Sequence, residues 1–395
     1  HLHTSGKLYE TLAFRVLSFM KINLLGAGRV GSFIAEELHK DGIDICAFDL
    51  SENSLENLSK KNIKTSLCDF SNKENLIKTI KDADLVINAL PGFMGYKVLE
   101  ISLEEKKPLV DVSFMPENPL NLDKKAREKD TIAIVDIGIA PGLSHFIIGR
   151  ESFLNKNLSG AKIYVGGIPF ERTLPFQYKA PFSPMDVLEE YTRTVRYKFN
   201  GALTEAEPLT DIEEINIFGI GTLEAFLTDG LRTLLYTTQI PTLIEKTLRY
   251  PGHCQAIKIL KSSGFLSKNP INYNGNPVIP LEFTSKILFP LWELKKIDRE
   301  MTILYIYLWY EQGDKKGEID YFLIETTDLE KGISSMAKTT GTPAIIVTEM
   351  YLEGKINLKG VIPPELLGRD EKIFEEFMEK FEKKGLKLNK FVKEN

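Results

Sequence analysis

The chain has 395 residues, enough for two domains with a sizeable core. Its net charge of −5 and isoelectric point near 5.8 argue against a nucleic-acid surface, and no basic run precedes the Lys-rich C-terminus. No apolar stretch approaches bilayer length, so no membrane partner is expected, and three scattered cysteines (Cys46, Cys68, Cys254) without a C-x-x-C suit a reducing cytoplasm.

Residues His1 to Phe19 precede Met20 and read as an expression remnant or an upstream extension outside the fold. Arg15 interrupts their apolar part and no small-residue cleavage site follows, so a signal peptide is not expected. Without His1 and His3, only His39, His145 and His253 remain, too dispersed for a His-rich metal site; no metal is expected.

From Lys21 to Asp49 the chain reads KINLLGAGRVGSFIAEELHKDGIDICAFD. Ile22 to Leu25 is a short apolar run cut by glycine, which predicts a buried strand. Gly26, Gly28 and Gly31 give G-x-G-x-x-G, and from Arg29 the apolar residues Val30, Phe33, Ile34 and Leu38 share one helical face until Gly42 stops it. A second strand, Ile43 to Phe48, ends in Asp49, 23 positions after Gly26, about where a dinucleotide fold keeps its ribose acid. Gly26 permits the tight turn, Gly28 the approach of a pyrophosphate, and Gly31 the packing of helix on strand. The first-turn N–H groups, including those of Arg29 and Val30, would hold the phosphates. Asp49 would accept from the ribose hydroxyls and repel a 2′-phosphate, so the expected cofactor is NAD. The bland alternative is a Rossmann unit that binds nothing. Cys46, inside this second strand, reads as a small core residue.

Alternation continues with a helix over Leu55 to Lys60 and a strand over Lys64 to Cys68 that leads to Asp69, an adenine-side contact or a loop cap. A helix over Leu76 to Lys81 and a strand over Leu85 to Asn88 follow. Ala89, Leu90, Pro91 and Gly92 then leave a strand's carboxyl end, where open α/β sheets bind ligands; Pro91 and Gly92 would halt regular structure beside the nicotinamide half. Val98 to Lys106 reads as a helix, Pro108 to Ser113 as a strand carrying Asp111, 114–119 as a proline-punctuated loop, Asn121 to Lys129 as a helix and Ile132 to Asp136 as a sixth strand. Six alternating strands complete a doubly wound Rossmann domain over residues 20–140.

Beyond it the pattern becomes mixed, predicting an α+β domain over 141–360 with a mostly antiparallel sheet, suited to a substrate wall and a homodimer face. Lys162 to Val165 is a strand ended by Gly166 and Gly167. Ser183, Pro184 and Asp186 start a helix over Met185 to Thr192. Asn200-Gly201 signals a hairpin. Further strands are expected at Ile212 to Phe218, Leu243 to Arg249, Thr302 to Tyr310 and Tyr321 to Glu325, the last two joined by a turn over 312–317. Helices are expected at Cys254 to Lys261 and Ser334 to Met350. The segment 361–395 reads as helical, with Phe374, Phe377 and Phe381 forming the inward stripe of a helix over Glu371 to Lys383.

Several segments resemble one family. VDIGIAPGLSH at 135–145, DGLRTLL at 229–235, TLRYPGH at 247–253 and GVIPPELLG at 360–368 are similar to the saccharopine dehydrogenase (glutamate-forming) family. With ALPGF at 89–93 and VDVSFMPENP at 110–119 they look closest to its NAD-dependent lysine 6-dehydrogenase branch, over roughly 20 to 385. The resemblance implies amine oxidation: hydride leaves the carbon bearing nitrogen for the nicotinamide, and water hydrolyses the imine. In the lysine branch, L-lysine yields the semialdehyde, ammonia and NADH. A saccharopine or carboxynorspermidine enzyme is the nearest alternative, and a non-catalytic NAD-binding protein the alternative from another class.

Amine oxidation needs a base. Asp111 at a strand end is one candidate, or else a loop cap; Asp136 has the same ambiguity with a structural role favoured. His145, at an expected helix start, would stay neutral beside the dipole, or simply pack; His253 after Pro251-Gly252 is similar. A substrate carboxylate suits a bidentate arginine, for which the family-like segments offer Arg232 and Arg249, each also a plain salt-bridge partner. Tyr178 and Lys179 would border the pocket or pack as loop. Saccharopine brings three carboxylates, which Arg193, Arg196, Arg232 and Arg249 together could meet.

Overall fold

The computed structural model describes residues 20–295, 297–312 and 315–394; the leader at 1–19 and the tip of the turn expected over 312–317 lie outside them. The chain divides into two compact units, one running to Glu151 and resuming over Ala337–Leu386, the other comprising Ser152–Met336 and the residues from Lys387.

In the first unit every strand is parallel, and the sheet runs in the order 360–362, 132–134, 109–111, 85–88, 22–25, 45–49, 64–67. A parallel strand covered on both faces is nearly all apolar: Ile22, Leu24 and Leu25 are fully buried, and Asn23 between them donates to the Thr79 carbonyl at 2.8 Å. Strand order reverses beside Ile22–Leu25, the switch point at which open sheets bind ligands. Leu25 pairs with both Phe48 and Asn88, so the next residue on each strand, Gly26, Asp49 and Ala89, emerges at one carboxyl edge.

The glycine-rich helix, Arg29–Lys40, is backed by the helix Ser335–Leu352. A Cβ on Gly341 would lie 2.6 Å from the Phe33 ring, so the two helices meet at van der Waals limit there. Helix Leu143–Leu154 presses equally closely on the short helix Pro364–Leu367: a Cβ on Gly149 would stand 2.2 Å from the Glu365 carbonyl oxygen. Phe146 stacks on Phe374, and the stripe expected on helix Glu371–Lys383 turns inward, with Phe377 and Phe381 fully buried.

Two departures from the sequence reading concern this unit. The reading closed the Rossmann domain at 140, gave 141–360 to the second domain and set 361–395 apart. Instead 337–386 return to the first unit, because Gly360–Ile362 adds a seventh strand parallel to Ile132–Ile134. Three residues carry no periodicity from which such a strand is read. Pro91 and Gly92, expected to halt regular structure, instead open the helix Gly92–Glu104: proline's fixed φ suits a helix start, and Pro91 is its N-cap.

The second unit is built on a nine-stranded sheet in the order 213–217, 221–227, 242–249, 158–169, 300–312, 315–326, 389–394, with 195–199 joining 242–249 and carrying 202–206. Only 158–169 and 242–249 run parallel, so the sheet is mostly antiparallel, as expected. Strand Leu158–Pro169 passes through Gly166 and Gly167. These glycines answer close neighbours rather than a turn: a Cβ on Gly166 would meet that of Leu248 at 2.7 Å. Asn200 and Gly201 both hold positive φ, the I′ turn of the expected hairpin. Residues 389–394, read as part of a helical tail, form an edge strand. Helix Ser183-capped Pro184–Thr192 packs with Phe226 and Trp292 in this unit's core. No helix among the described residues is long and apolar enough to cross a membrane.

Candidate active site

Three constellations carry the predicted residues, one in the first unit and two in the second. The first is the glycine-rich turn. Gly26 sits at φ +94°, and a Cβ there would lie 2.7 Å from the Ala89 carbonyl oxygen; at Gly31 it would be 1.9 Å from that of Gly26. Only glycine fits either place. Gly28 differs, because a Cβ on it meets nothing within 4 Å, so its backbone lies open to an incoming group. Gly28 is also the N-cap of Arg29–Lys40 and provides no side-chain cap. The first-turn N–H groups of Arg29, Val30 and Gly31 therefore belong to a helix end shaped for phosphate.

Asp49 ends the second strand and ties this turn together. Its Oδ2 accepts from the Ala27 N–H at 2.6 Å and its Oδ1 from the Ser51 N–H at 2.7 Å. Each carboxylate oxygen has a second lone pair, so the group still suits a sugar diol. The residues present thus fit a nicotinamide dinucleotide: open backbone for the pyrophosphate, an acid for the ribose. Ala89 is fixed by its N–H to the Leu25 carbonyl, and Leu90 donates to the Asn88 side chain at 3.2 Å. Pro91 follows at the head of the next helix. Asp69 lies exposed beyond the third strand; its Oδ1 caps the Ser71 N–H, and hydrogen bonds from Ser71 hold its carboxyl below the ordinary range.

Asp111 does not present itself as a base. It is fully buried, with Oδ1 accepting from the Ser113 N–H and hydroxyl, both at 2.6 Å, and Oδ2 from the Asn88 amide at 3.0 Å. Burial pushes its carboxyl up to about 7 against these hydrogen bonds. It fastens the ends of two neighbouring strands. Asp136 is buried at φ +55°, and His145 is fully buried with its Nδ1 3.0 Å from the Ser144 hydroxyl.

The second constellation is a buried polar knot. His253 Nδ1 lies 2.8 Å from the Phe176 carbonyl, which can only accept, so Nδ1 carries the proton. Nε2 then accepts from the Tyr191 hydroxyl at 2.8 Å. Arg249 donates to the same hydroxyl and to the Glu190 carboxylate, and lies over the Tyr178 ring at 4.4 Å. Expected as catalyst, carboxylate clamp and pocket wall, His253, Arg249 and Tyr178 are instead engaged with one another beneath the surface. Asp111, His145 and His253 offer no atom to solvent. Lys179, by contrast, reaches the Leu291 carbonyl from the exposed side.

The third constellation surrounds Arg232. This arginine holds φ +47°, a conformation unfavourable to a side chain, yet is only 3 % exposed. Such outliers persist where the surroundings over-determine them, and they gather at ligand sites. Beside it the Asp229 carboxylate takes a two-pronged grip from Arg196, at 3.0 and 2.6 Å, and also accepts the Arg196 N–H. Arg193, mostly buried and paired with Glu189 at 3.4 Å, lies close enough to feel the Arg232 charge; burial first, and that charge after it, bring its pKa down. Below the turn, Glu245 accepts from Thr228 at 2.6 Å and from the Gly230 N–H at 3.1 Å. Burial pushes the Glu245 carboxyl up to about 8. The Arg232 turn thus lies among the Arg193 and Arg196 guanidiniums, the Asp229 carboxylate and the buried Glu245 carboxyl, a donor-rich setting of the kind that binds carboxylate.

Sequence reasoning named Arg232 and weighed Arg193 and Arg196, but missed Asp229, Glu190 and Glu245. Glu245 gave no signal, since beside Lys246 in TLIEKTLR it reads as part of a solvated face, yet both side chains are buried.

Comparison with known proteins finds chains similar to this one along most of its length. The family model described as the saccharopine dehydrogenase NADP binding domain matches residues 22–134, and that of the saccharopine dehydrogenase C-terminal domain matches 138–386. Saccharopine dehydrogenase [NADP(+), L-glutamate-forming] of Schizosaccharomyces pombe is 24% identical over 94% of this chain and 98% of its own. Carboxyaminopropylagmatine dehydrogenase of Synechocystis is 22% identical over 94% and 98%. The mitochondrial alpha-aminoadipic semialdehyde synthase of Bos taurus is 25% identical, and this chain spans about half the length of that relative, 45%. Among solved structures, apo saccharopine dehydrogenase (L-Glu forming) from Saccharomyces cerevisiae shares the fold with a TM-score of 0.76 at 19% identity, covering 95% of this chain and 100% of that one.

The buried imidazole has a measurable consequence. Burial, aided by the Arg249 charge, takes the His253 pKa down to about 3, against an ordinary value near 6.5. Between those values the unfolded chain binds a proton that the fold refuses, so stability present above pH 6.5 drains away as pH falls toward 3. Urea unfolding of His253→Gln is expected to show a shallower decline than the parent between pH 6.5 and 4. Parallel declines would show that this ring is not what the acid limb reports.

Proposed function

The chain belongs to the saccharopine dehydrogenase family, and from that premise we propose that it oxidises the carbon–nitrogen bond of a carboxylate-bearing amino-acid amine. The nicotinamide ring, when bound, accepts the hydride. The turn of Gly26, Gly28 and Gly31 seats the dinucleotide phosphates, and Asp49 takes the ribose. Arg232, with Arg193 beside it, receives substrate carboxylate and so fixes the amine in place. The observation that carries the reading is Arg232 itself, a buried guanidinium held in a left-handed backbone beside a second one.

Two neighbouring guanidiniums suit a secondary amine joining two carboxylated arms, such as saccharopine, better than lysine with its single carboxylate. The lysine 6-dehydrogenase reading rests on the resemblance of the loop and domain segments, and saccharopine on the arginine pair. A non-catalytic dinucleotide binder would have no use for such a pair.

NAD rather than NADP is part of the proposal, although the matching family model is described as NADP-binding. A carboxylate at Asp49, with Glu52 three residues on, gathers negative charge at the end of the second strand, which would repel a 2′-phosphate. A homodimer belongs to the same reading. Helix Pro280–Trp292 carries Phe283, Ile287 and Leu291, about half exposed, at four-residue spacing, a stripe that suits a second copy. The free cysteines Cys46, Cys68 and Cys254 support a cytoplasmic setting.

Incubated with NAD, the protein is expected to form NADH with saccharopine and far less with lysine; turnover on lysine alone would return the assignment to the lysine branch. Arg232→Gln should raise the KM for the carboxylated amine roughly ten- to a hundredfold, the range for a lost charge-assisted pair. An unchanged KM would remove the residue from the site. Asp49→Ala should shift the NAD-to-NADP ratio of kcat/KM toward NADP by about tenfold or more. If the ratio holds, another group selects the cofactor. Light scattering at micromolar concentration should report twice the chain mass, and a monomer there would count against the exposed stripe as a dimer face.

A further inference from the structure

The turn that presents Arg232 rests on a single carboxyl group, and we propose that Glu245, acting as a neutral hydrogen-bonding clamp rather than as an anion, positions Arg232 to receive carboxylate. The inference rests on Arg232 being the carboxylate receptor.

Glu245 lies near the middle of strand Thr242–Arg249, is 3 % exposed, and meets the turn with both backbone and side chain. Its carbonyl accepts the Thr228 N–H at 3.2 Å; its Oε2 accepts the Thr228 hydroxyl at 2.6 Å and the Gly230 N–H at 3.1 Å. The fit is close: a Cβ on residue 230 would stand 2.6 Å from the Glu245 carboxyl carbon, so any side chain there would push the carboxyl off the turn. With residue 228 pinned from below and Asp229 gripped from the side by Arg196, the chain has little freedom before Arg232, two residues on from Gly230, takes up its positive φ.

The surroundings oppose a charge on this carboxyl. Glu190 and Asp229 both face it with negative charge, and burial pushes its own pKa up to about 8. The Thr228 hydroxyl is in turn 2.8 Å from that of Thr247, which extends the hydrogen-bond chain without adding charge. The donors that reach this carboxyl are a hydroxyl and a backbone N–H, neither of which brings a positive charge to hold it ionised. Glu245 touches the turn, not the substrate, and is therefore a positioning residue.

Glutamine copies a neutral carboxylic acid in shape and in hydrogen-bonding capacity, so it separates the two roles. The whole 395-residue chain with NAD would be titrated with glutarate, a plain dicarboxylate, by calorimetry, and the melting temperature of each variant recorded alongside. Glu245→Gln is expected to bind glutarate within about twofold of the parent, and Glu245→Ala at least tenfold more weakly. In turnover on a carboxylated amine, Glu245→Ala should raise KM with little change in kcat, a split that a general loss of stability would not produce. Binding by Glu245→Gln as weak as by Glu245→Ala would overturn the neutral clamp. Parent-like binding by Glu245→Ala would overturn the positioning role. Arg232→Gln is the separate control: if it leaves glutarate binding untouched, or the parent binds none, the carboxylate reading of Arg232 fails, and the clamp with it.

Discussion

The first unit depends on one close approach. Gly31 lies so near the Gly26 carbonyl, and Gly26 so near that of Ala89, that the first helix and the fourth strand meet at the turn with no side chain between them. This brings a helix N-terminus to the carboxyl edge of the sheet, where Asp49 already stands by strand register. The carboxylate then takes the Ala27 N–H and holds the turn in that shape. A phosphate-binding turn built this way needs no charged side chain, because backbone dipoles supply the field.

Constraint of another kind shapes the second unit. Arg249, Glu190, Tyr178, Tyr191 and His253 satisfy one another in the interior, and their mutual contacts are what make burying them tolerable. The cluster around Arg232 is arranged differently. Arg196 and Asp229 balance, Arg193 leans on a distant Glu189 oxygen, and Glu245 contributes hydrogen bonds with little charge. The first cluster closes on itself, whereas the second gathers three guanidiniums about a backbone turn of positive φ.

Much of this was legible in the chain. The glycine spacing, the apolar strand before it and the acid 23 residues on are local features, and the structure places Gly26, Gly28, Gly31 and Asp49 at one edge of the sheet. The inward stripe of Phe374, Phe377 and Phe381 was likewise written in helical period. Asp111, His145 and His253 read well as bases because each follows a strand or opens a helix. Burial is not a local property, and no spacing announces that Tyr191 will fill the histidine's acceptor or Ser113 the aspartate's oxygens. Strand Gly360–Ile362 escaped for a related reason: three residues become a strand only when a partner edge, Ile132–Ile134, lies waiting 228 residues earlier.

By itself, then, the sequence determined the chemistry that neighbouring residues can share: a phosphate turn, an acid one strand away, and the periods of helix and strand. Tertiary structure alone decided which charges balance. Whether an arginine is spent on Glu190, like Arg249, or held beside a second guanidinium, like Arg232, depends on residues brought together from distant strands and helices. Electrostatic energy is set by distance in space and by the water excluded from that space, and a linear order of residues encodes neither directly.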